Sequence, residues 1–302
     1  MKVLVLYSLP PIIVTPGRLV NEFDLDEAAQ GIAEVLPEAV VAGVQGEVHE
    51  VVSLLDHHQP DVVFNVCEAP LGRPDREAHV AALLEWLGVR FTGCGSETLA
   101  LCRRKDRVSA LLAAAGVPVP RTGVFPCIVK AADEDGSAGI DENSICANAE
   151  AVAHARSRLK GPVVIQEFLP GREFAVSLWG QEDPSNVSIG ETCFTGGLQL
   201  ITYAAKWDSD STDFANTPLV YTLQLDPLLR EAVIAVASGA WRTVNARGYL
   251  RVDVRLDAAG VPRVLDVNPN PELSPDRGIY RAVNEAGWSW ERFVRQQLEW
   301  AC

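Results

Sequence analysis

The chain has 302 residues, 48% apolar and 22% charged, enough for two or three packed units and too well patterned for long disorder. A formal net charge of −14 with no basic stretch argues against nucleic-acid binding, and no run reaches the ~18 apolar residues of a membrane helix. Seven cysteines without a CxxC pair, five histidines without metal spacing, and no charged leader or cleavage site suggest free thiols in a cytoplasmic protein.

Residues 2–7 (KVLVLY) read as a short buried strand, followed by a loop rich in Pro and Gly. Apolar residues at helical spacing predict helices over 26–36 and 49–55. Residues 61–66 (DVVFNV) predict a second strand, 76–87 a helix ended by Gly88, and 89–92 a third strand. Strands alternating with helices imply a parallel, doubly covered sheet that ends near Gly93–Gly95. Residues 98–115 read as one long amphipathic helix closed by Gly116 and Pro118. Short strands are then predicted at 122–125, 127–132 and 163–169, with a helix at 149–159 and an acidic Gly/Ser loop at 133–143. Beyond 173 strands dominate: 173–180, 187–194 and 199–204. A helix at 226–245, a hairpin at 249–267 and a last helix at 289–300 complete the chain. There is no internal repeat.

The most informative stretch is 251–268. Arg251 to Asp257, a Gly-containing turn and Arg263 to Asn268 read as a hairpin. Side chains alternate across a strand, so Arg251, Asp253 and Arg255 share a face. Asp266 and Asn268 share another, with Leu265 and Val267 opposite. If Leu256 pairs with Arg263, Asp253 lies across from Asp266 and Arg251 across from Asn268. Facing carboxylates repel, and a divalent cation removes the conflict. Two Asp and an Asn offer only oxygen, which suits Mg²⁺ or Mn²⁺. A solvated face whose acids balance Arg251, Arg255 and Arg263 is the alternative. The Asn-Pro-Asn-Pro run that follows stiffens the strand end.

Three further stretches carry weaker signals. Pro126 to Lys130 puts a lysine at a strand end, before a glycine loop whose N–H groups could fold over phosphates. It fits neither the P-loop pattern nor GxGxxG, and an ordinary surface loop is the other reading. Val164 to Phe174 is a strand, a Pro170-Gly171 turn and a restart at Glu173. Its edge could read an adenine and Glu173 could accept from ribose, or the stretch is a plain connector. Lys206, in Lys206-Trp207-Asp208, is a phosphate lysine or a surface one. Asn65, Glu68 and Arg73 follow the second strand, at the carboxyl edge where open α/β sheets bind ligands. There Glu68 could meet a substrate amine and Arg73 a substrate carboxylate, or the stretch is only a polar loop.

Lys105, PCIVK, the Gly/Ser loop, QEFLPGREF, KWD, RVDVRLD and VLDVNPNP stand in the order and spacing of ATP-grasp ligases. The chain resembles the D-alanine–D-alanine ligase-like branch from about Asp61 onward, most strongly over 98–275. The resemblance implies a mixed α/β and α+β ATP-grasp fold: a parallel α/β domain at 1–95, a central subdomain at 96–168 and a metal-bearing subdomain at 169–302. It implies that Lys105 and Lys130 contact the phosphates or the adenine edge, and that Gly136, Ser137 and Gly139 close over the phosphates. Gln166, Glu167 and Leu169 would read adenine, Glu173 would hold the ribose and Lys206 the γ-phosphate. Asp253, Asp266 and Asn268 would carry two Mg²⁺ ions (or Mn²⁺). Arg251 would stabilise the acyl phosphate and the tetrahedral intermediate, with Lys206 and Ser137 as its catalytic companions. Asp276 and Arg277 are placed on the acceptor side.

The expected reaction joins a small-molecule carboxylate to an amine through an acyl phosphate, with ATP as energy source; a phosphotransferase and a silent nucleotide binder are the alternatives. Nucleic acid and membrane are not expected partners, and a homodimer is allowed. Members that make D-alanyl-D-alanine carry Gly-Gly-x-Ser-x-Glu after the first strand, where this chain has Ser8-Leu-Pro-Pro-Ile-Ile. They also carry a tyrosine after the γ-phosphate lysine, where this chain has Trp207. Their frequent Glu at the second metal position is Asp266 here. The expectation is a substrate other than that of the housekeeping ligase.

Overall fold

The computed structural model describes residues 1–10, 25–134, 136–197, 199–221 and 224–301. The Pro/Gly-rich loop expected after the first strand falls mostly at 11–24, outside the described residues, as do Asp135 of the glycine loop and Cys302.

The first unit is a three-stranded parallel sheet in the order β2-β1-β3, built from β1 (Val3–Ser8), β2 (Val40–Val44) and β3 (Val62–Val66). It carries α1 (Asp26–Ala33), α2 (Val48–His58) and α3 (Glu77–Trp86). Every residue of β1 is buried, as its unbroken apolar run requires. The sequence reading missed β2 and placed the third strand at 89–92. In the structure that segment makes only an isolated bridge, Val63 to Phe91. The segment VVAGV contains Ala and Gly and is largely half-exposed, so it lacks the apolar continuity by which buried strands are recognised.

The single helix expected at 98–115 is two, α4 (Ser96–Cys102) and α5 (Lys105–Ala114). Arg104 leaves the helical region at φ −110°, ψ 89°, and the Lys105 N–H donates instead to the Ala132 carbonyl at 2.8 Å. The break ties the start of α5 to the second sheet, β5-β4-β6, formed by β4 (Cys127–Ala131), β5 (Ile145–Cys146) and β6 (Val163–Glu167), with α6 (Ala149–Arg158) against it. No strand forms at 122–125, where Gly123 takes a φ of +72° that extended backbone does not allow.

The third sheet is antiparallel, in the order β11-β10-β7-β8-β9. Its strands are β7 (Glu173–Gly180), β8 (Pro184–Thr192), β9 (Leu219–Val220), β10 (Gly248–Leu256) and β11 (Pro262–Asn268). The strand expected at 199–204 does not form. Thr202 caps a short helix, α7 (Tyr203–Trp207), by accepting from the Ala205 N–H at 3.1 Å, so the capping hydroxyl overrides the apolar run. Helices α8 (Thr212–Ala215), α9 (Pro227–Thr243), α10 (Gly278–Glu285) and α11 (Trp290–Trp300) complete the element order.

The hairpin register holds at its functional end and shifts at the other. Arg251 pairs with Asn268 and Asp253 with Asp266, but Leu256 pairs with Pro262 rather than Arg263. A bulge follows Asp253, leaving Leu265 as the extra residue. Leu265 therefore joins Asp266 on the cleft side instead of lying opposite it with Val267, while Val264 and Val267 remain in the core.

Both faces of this sheet are packed. Leu178, Leu250 and Val252 share a core with Trp241 of α9 and with Leu4 and Leu6 of β1. Trp179 and Tyr249, cross-strand neighbours, meet Phe293, Trp290 and the alternate β1 residues Val3, Val5 and Tyr7. One strand of the first unit thus feeds both cores. Phe293 is fully buried, with ring centroids 5.1 Å from Trp290 and 5.9 Å from Tyr249. Phe293→Ala is expected to cost about 3–5 kcal/mol of stability, measured by urea denaturation.

Candidate active site

The second and third sheets face one another across a cleft with about 830 Å³ of free space. Into it the elements deliver Lys105 from the first turn of α5, Lys130 from β4, Gln166 and Glu167 from the end of β6, and Leu169 from the connector. From the other side come Glu173 of β7, Lys206 of α7, Asp253 and Arg255 of β10, and Asp266 of β11. Gly136 and Ser137 line the same cleft, and Gly139 belongs to their loop. Arg251 borders an adjoining space with Lys206 and Asp253.

Charge organises this wall. Asp253 and Asp266 sit opposite one another on paired strands. Each is held by a cation: Lys105 Nζ lies 2.8 Å from Asp266 Oδ2, and Arg251 Nε donates to Asp253 Oδ1 at 2.7 Å. Burial by itself would raise the Asp266 carboxyl, but Lys105, Lys130 and Lys206 outweigh it and hold the group down at about 2. Burial lowers Lys130 and Lys206, with Arg251 adding to the effect on Lys206. The Asp253 charge raises Arg251 against burial. Lys130 Nζ also donates to the Leu265 carbonyl at 3.4 Å.

No group of three or more His, Cys, Asp or Glu capable of holding a metal occurs among the described residues. A cation here would rest on the Asp253 and Asp266 carboxylates and the Asn268 amide oxygen. Asn268 Oδ1 is already oriented, accepting from the Asn270 N–H at 3.0 Å. This all-oxygen set with few protein ligands fits Mg²⁺, which leaves much of its shell to water and phosphate.

The glycine loop is pinned by a residue of α7. Trp207 Nε1 donates to the Gly136 carbonyl at 3.1 Å. Gly136 and Gly139 adopt φ of +64° and +72°, and Ser137 +61°. A Cβ on Gly136 would come within 2.9 Å of the indole nitrogen, so the close approach itself requires glycine. At the strand end the Glu167 carboxylate is taken by Arg121, whose Nε donates at 2.9 Å. What Glu167 offers the cleft is therefore chiefly backbone.

The residues expected on the substrate side scatter. Asn65 is buried and its Oδ1 accepts from the Cys67 N–H at 3.3 Å. Arg73 pairs with Asp75 on the surface, Nε to Oδ1 2.8 Å. Glu68 is half-buried after β3, and Asp276 takes a φ of +60°. Arg277 does border a space of about 1010 Å³ beside Lys206 and Trp207, walled by Asp26, Glu27, Glu272 and Ser274. Sequence reasoning gave no cleft role to Arg255 or Leu265. Arg255 needed the β7–β10 pairing, which sets it opposite Glu173. Leu265 needed the bulge.

Two antiparallel sheets clasping a cleft of lysines and facing carboxylates, joined to a parallel α/β unit, make this an ATP-grasp ligase fold. The D-alanine–D-alanine ligase of Bacillus anthracis, solved in complex with ATP, superposes with a TM-score of 0.73 at 16% identity, covering 100% of this chain and 97% of that one. The family model described as D-ala D-ala ligase C-terminus matches residues 105–299, and the chain belongs to that family, as an ATP-dependent ligase forming carbon–nitrogen bonds. It is 29% identical over 254 residues to an uncharacterized protein, y4sG, of Sinorhizobium fredii, covering 79% of this chain and 74% of that protein. It is 27% identical over 243 residues to the D-alanine–D-alanine ligase of Cupriavidus taiwanensis, covering 75% of this chain and 72% of that one. No helix among the described residues is long and apolar enough to cross a membrane.

The folded Asp266 lies below the ordinary carboxyl range, so its contribution to stability is complete above that range and is lost as pH falls toward 2. In urea titrations the stability advantage of wild type over Asp266→Asn is expected to shrink from about pH 5 downward. A gap that stays constant across that window would refute the ion-pair assignment.

Proposed function

We propose that this enzyme activates a small carboxylate with ATP and Mg²⁺ and joins it to an amine, and that its substrates differ from those of the housekeeping D-alanine–D-alanine ligase. One observation carries the catalytic half: Lys105, Lys130, Lys206 and Arg251 converge on the facing pair Asp253 and Asp266, beside a pinned glycine loop. The substrate half rests on Trp207, on the missing Gly-Gly-x-Ser-x-Glu segment, and on the roomy, mixed-charge space beside Lys206.

We read 1–95 as the leading domain and 96–168 with 169–302 as the two clasping subdomains. Adenine lies along Gln166 to Leu169, the ribose at Glu173, and the phosphates between Lys105, Lys130 and the Gly136–Gly139 loop. Mg²⁺, when bound by Asp253, Asp266 and Asn268, supplies positive charge to the phosphates. Lys206 and Arg251 hold the γ-phosphoryl group as a carboxylate oxygen attacks phosphorus and ADP leaves. The amine then attacks the acyl carbon, phosphate departs with the bonding pair, and the amine's proton passes to the departing phosphate. Arg251 stabilises the oxyanion on the way. Ser137 and the loop keep water from the acyl phosphate, and Trp207 holds that loop by its backbone. The acceptor enters beside Arg277 and Asp276; Asn65 and Arg73, engaged with Cys67 and Asp75, are left out of the substrate side. Every residue of this reading comes from one chain, so a homodimer is compatible with it. Free Cys67, Cys94, Cys102, Cys127, Cys146 and Cys193 suit the cytoplasm.

The test is a screen of amino-acid pairs for ADP release. Release must require both a carboxylate and an amine; turnover with the carboxylate alone would instead identify a phosphotransferase. Asp253→Asn is expected to lower kcat by about 10²-fold or more with an unchanged circular dichroism spectrum. Trp207→Phe keeps the ring and loses the indole donor, so ADP formed per amide formed is expected to rise above one. A ratio that stays at one would remove Trp207 from the loop's closure.

A further inference from the structure

Arg255 projects into the nucleotide cleft, yet it is only 3% exposed. Its guanidinium is spent on protein. Nε donates to the Gly171 carbonyl at 3.1 Å, one terminal nitrogen to Glu173 Oε2 at 3.0 Å, and the other to the Gln199 carbonyl at 2.9 Å. The rings of Phe168 and Phe194 lie 5.2 and 5.0 Å from its central carbon. One side chain thus fastens β10 to the Pro170-Gly171 turn, to β7 and to the segment leading into α7. A planar fork with fixed donors does this in a way an ammonium does not.

Its acidic partner is itself 8% exposed and lines the same cleft. Burial raises the Glu173 carboxyl, and the Arg255 charge is the largest influence opposing that rise. Arg255 engages Oε2. A carboxylate fixed at one oxygen presents the other in a defined direction, and charged acceptors make the stronger hydrogen bonds to hydroxyls.

We propose that Arg255 is a positioning residue that aims the Glu173 carboxylate at the ribose hydroxyls of the bound nucleotide and so sets selection of ribonucleotides over deoxyribonucleotides. The proposal rests on the reading of this cleft as the nucleotide site. Arg255 itself touches neither the phosphates nor the reacting atoms. Its removal acts on nucleotide recognition and leaves the chemical step alone.

The experiment is calorimetry of the full chain with Mg-ATP, Mg-2′-deoxy-ATP and Mg-3′-deoxy-ATP. A hydroxyl donating to a charged acceptor is worth about 1.5–3 kcal/mol, roughly 10- to 150-fold in affinity. Wild type is expected to prefer ATP over at least one deoxy analogue by about tenfold or more. In Arg255→Met that preference falls toward one, and the KM for ATP rises while kcat changes little. Arg255→Lys, which retains the charge and loses the fork, falls between. Glu173→Gln loses the preference as Arg255→Met does, and the double variant loses no more than either alone. Should Arg255→Met not fold, Arg255→Lys and Glu173→Gln carry the same comparison. A folded Arg255 variant that keeps the wild-type preference, or one that loses kcat instead, overturns the positioning role. Failure of wild type to bind any nucleotide overturns the nucleotide reading itself, a different result.

Discussion

Two aspartates face each other across paired strands, and the site is arranged around their mutual repulsion. Like charges at that spacing in a sheet oppose its formation unless cations intervene. Arg251 supplies one from two residues away on the same strand, and Lys105 supplies the other from the start of α5. The second contact crosses the cleft wall and depends on the helix break at Arg104, which turns Lys105 inward. Electrostatic need in the hairpin and the irregular helix are one feature seen from two sides.

The same economy recurs along the cleft. Burial pushes Lys130 and Lys206 toward neutrality, and the nearby acids oppose that push. A triphosphate with a divalent metal, as proposed, would bring matching charges of both signs to a site whose groups are already ordered. Preorganised charge of this kind costs no reorganisation at the moment of transfer. The acids and the cations therefore belong to a single unit, and removing any one leaves a buried partner without its counter-charge.

Closure is handled by backbone more than by side chains. Trp207 reaches the Gly136 carbonyl, and Arg255 reaches the carbonyls of Gly171 and Gln199. Both side chains belong to the carboxyl-terminal part of the chain and grip main chain, so loop residues are free to vary as long as glycine remains where approach is close. Of the departures from the D-alanyl-D-alanine pattern, Trp207 and Asp266 are themselves part of this framework, one gripping the loop and the other facing Asp253.

Much of the fold was legible in the sequence. Alternation in RVDVRLD and VLDVNPNP set the two acids opposite one another on paired strands, because side chains alternate along a strand and the bulge falls beyond the Asp253–Asp266 pair. The order of the motifs carried the resemblance to the family, since each motif is short and local and therefore survives in the sequence alone. The break at Arg104, the bulge that turned Leu265 into the cleft, the weak strand β2 and the burial of Arg255 were not legible. Each is decided by a partner on another segment: Ala132 for Lys105, Asp253 and Val254 of the facing strand for the bulge, the β1 edge for β2, Glu173 for Arg255. Local pattern determines which residues lie on which face; only tertiary pairing determines what that face meets, because register and burial are properties of two segments together.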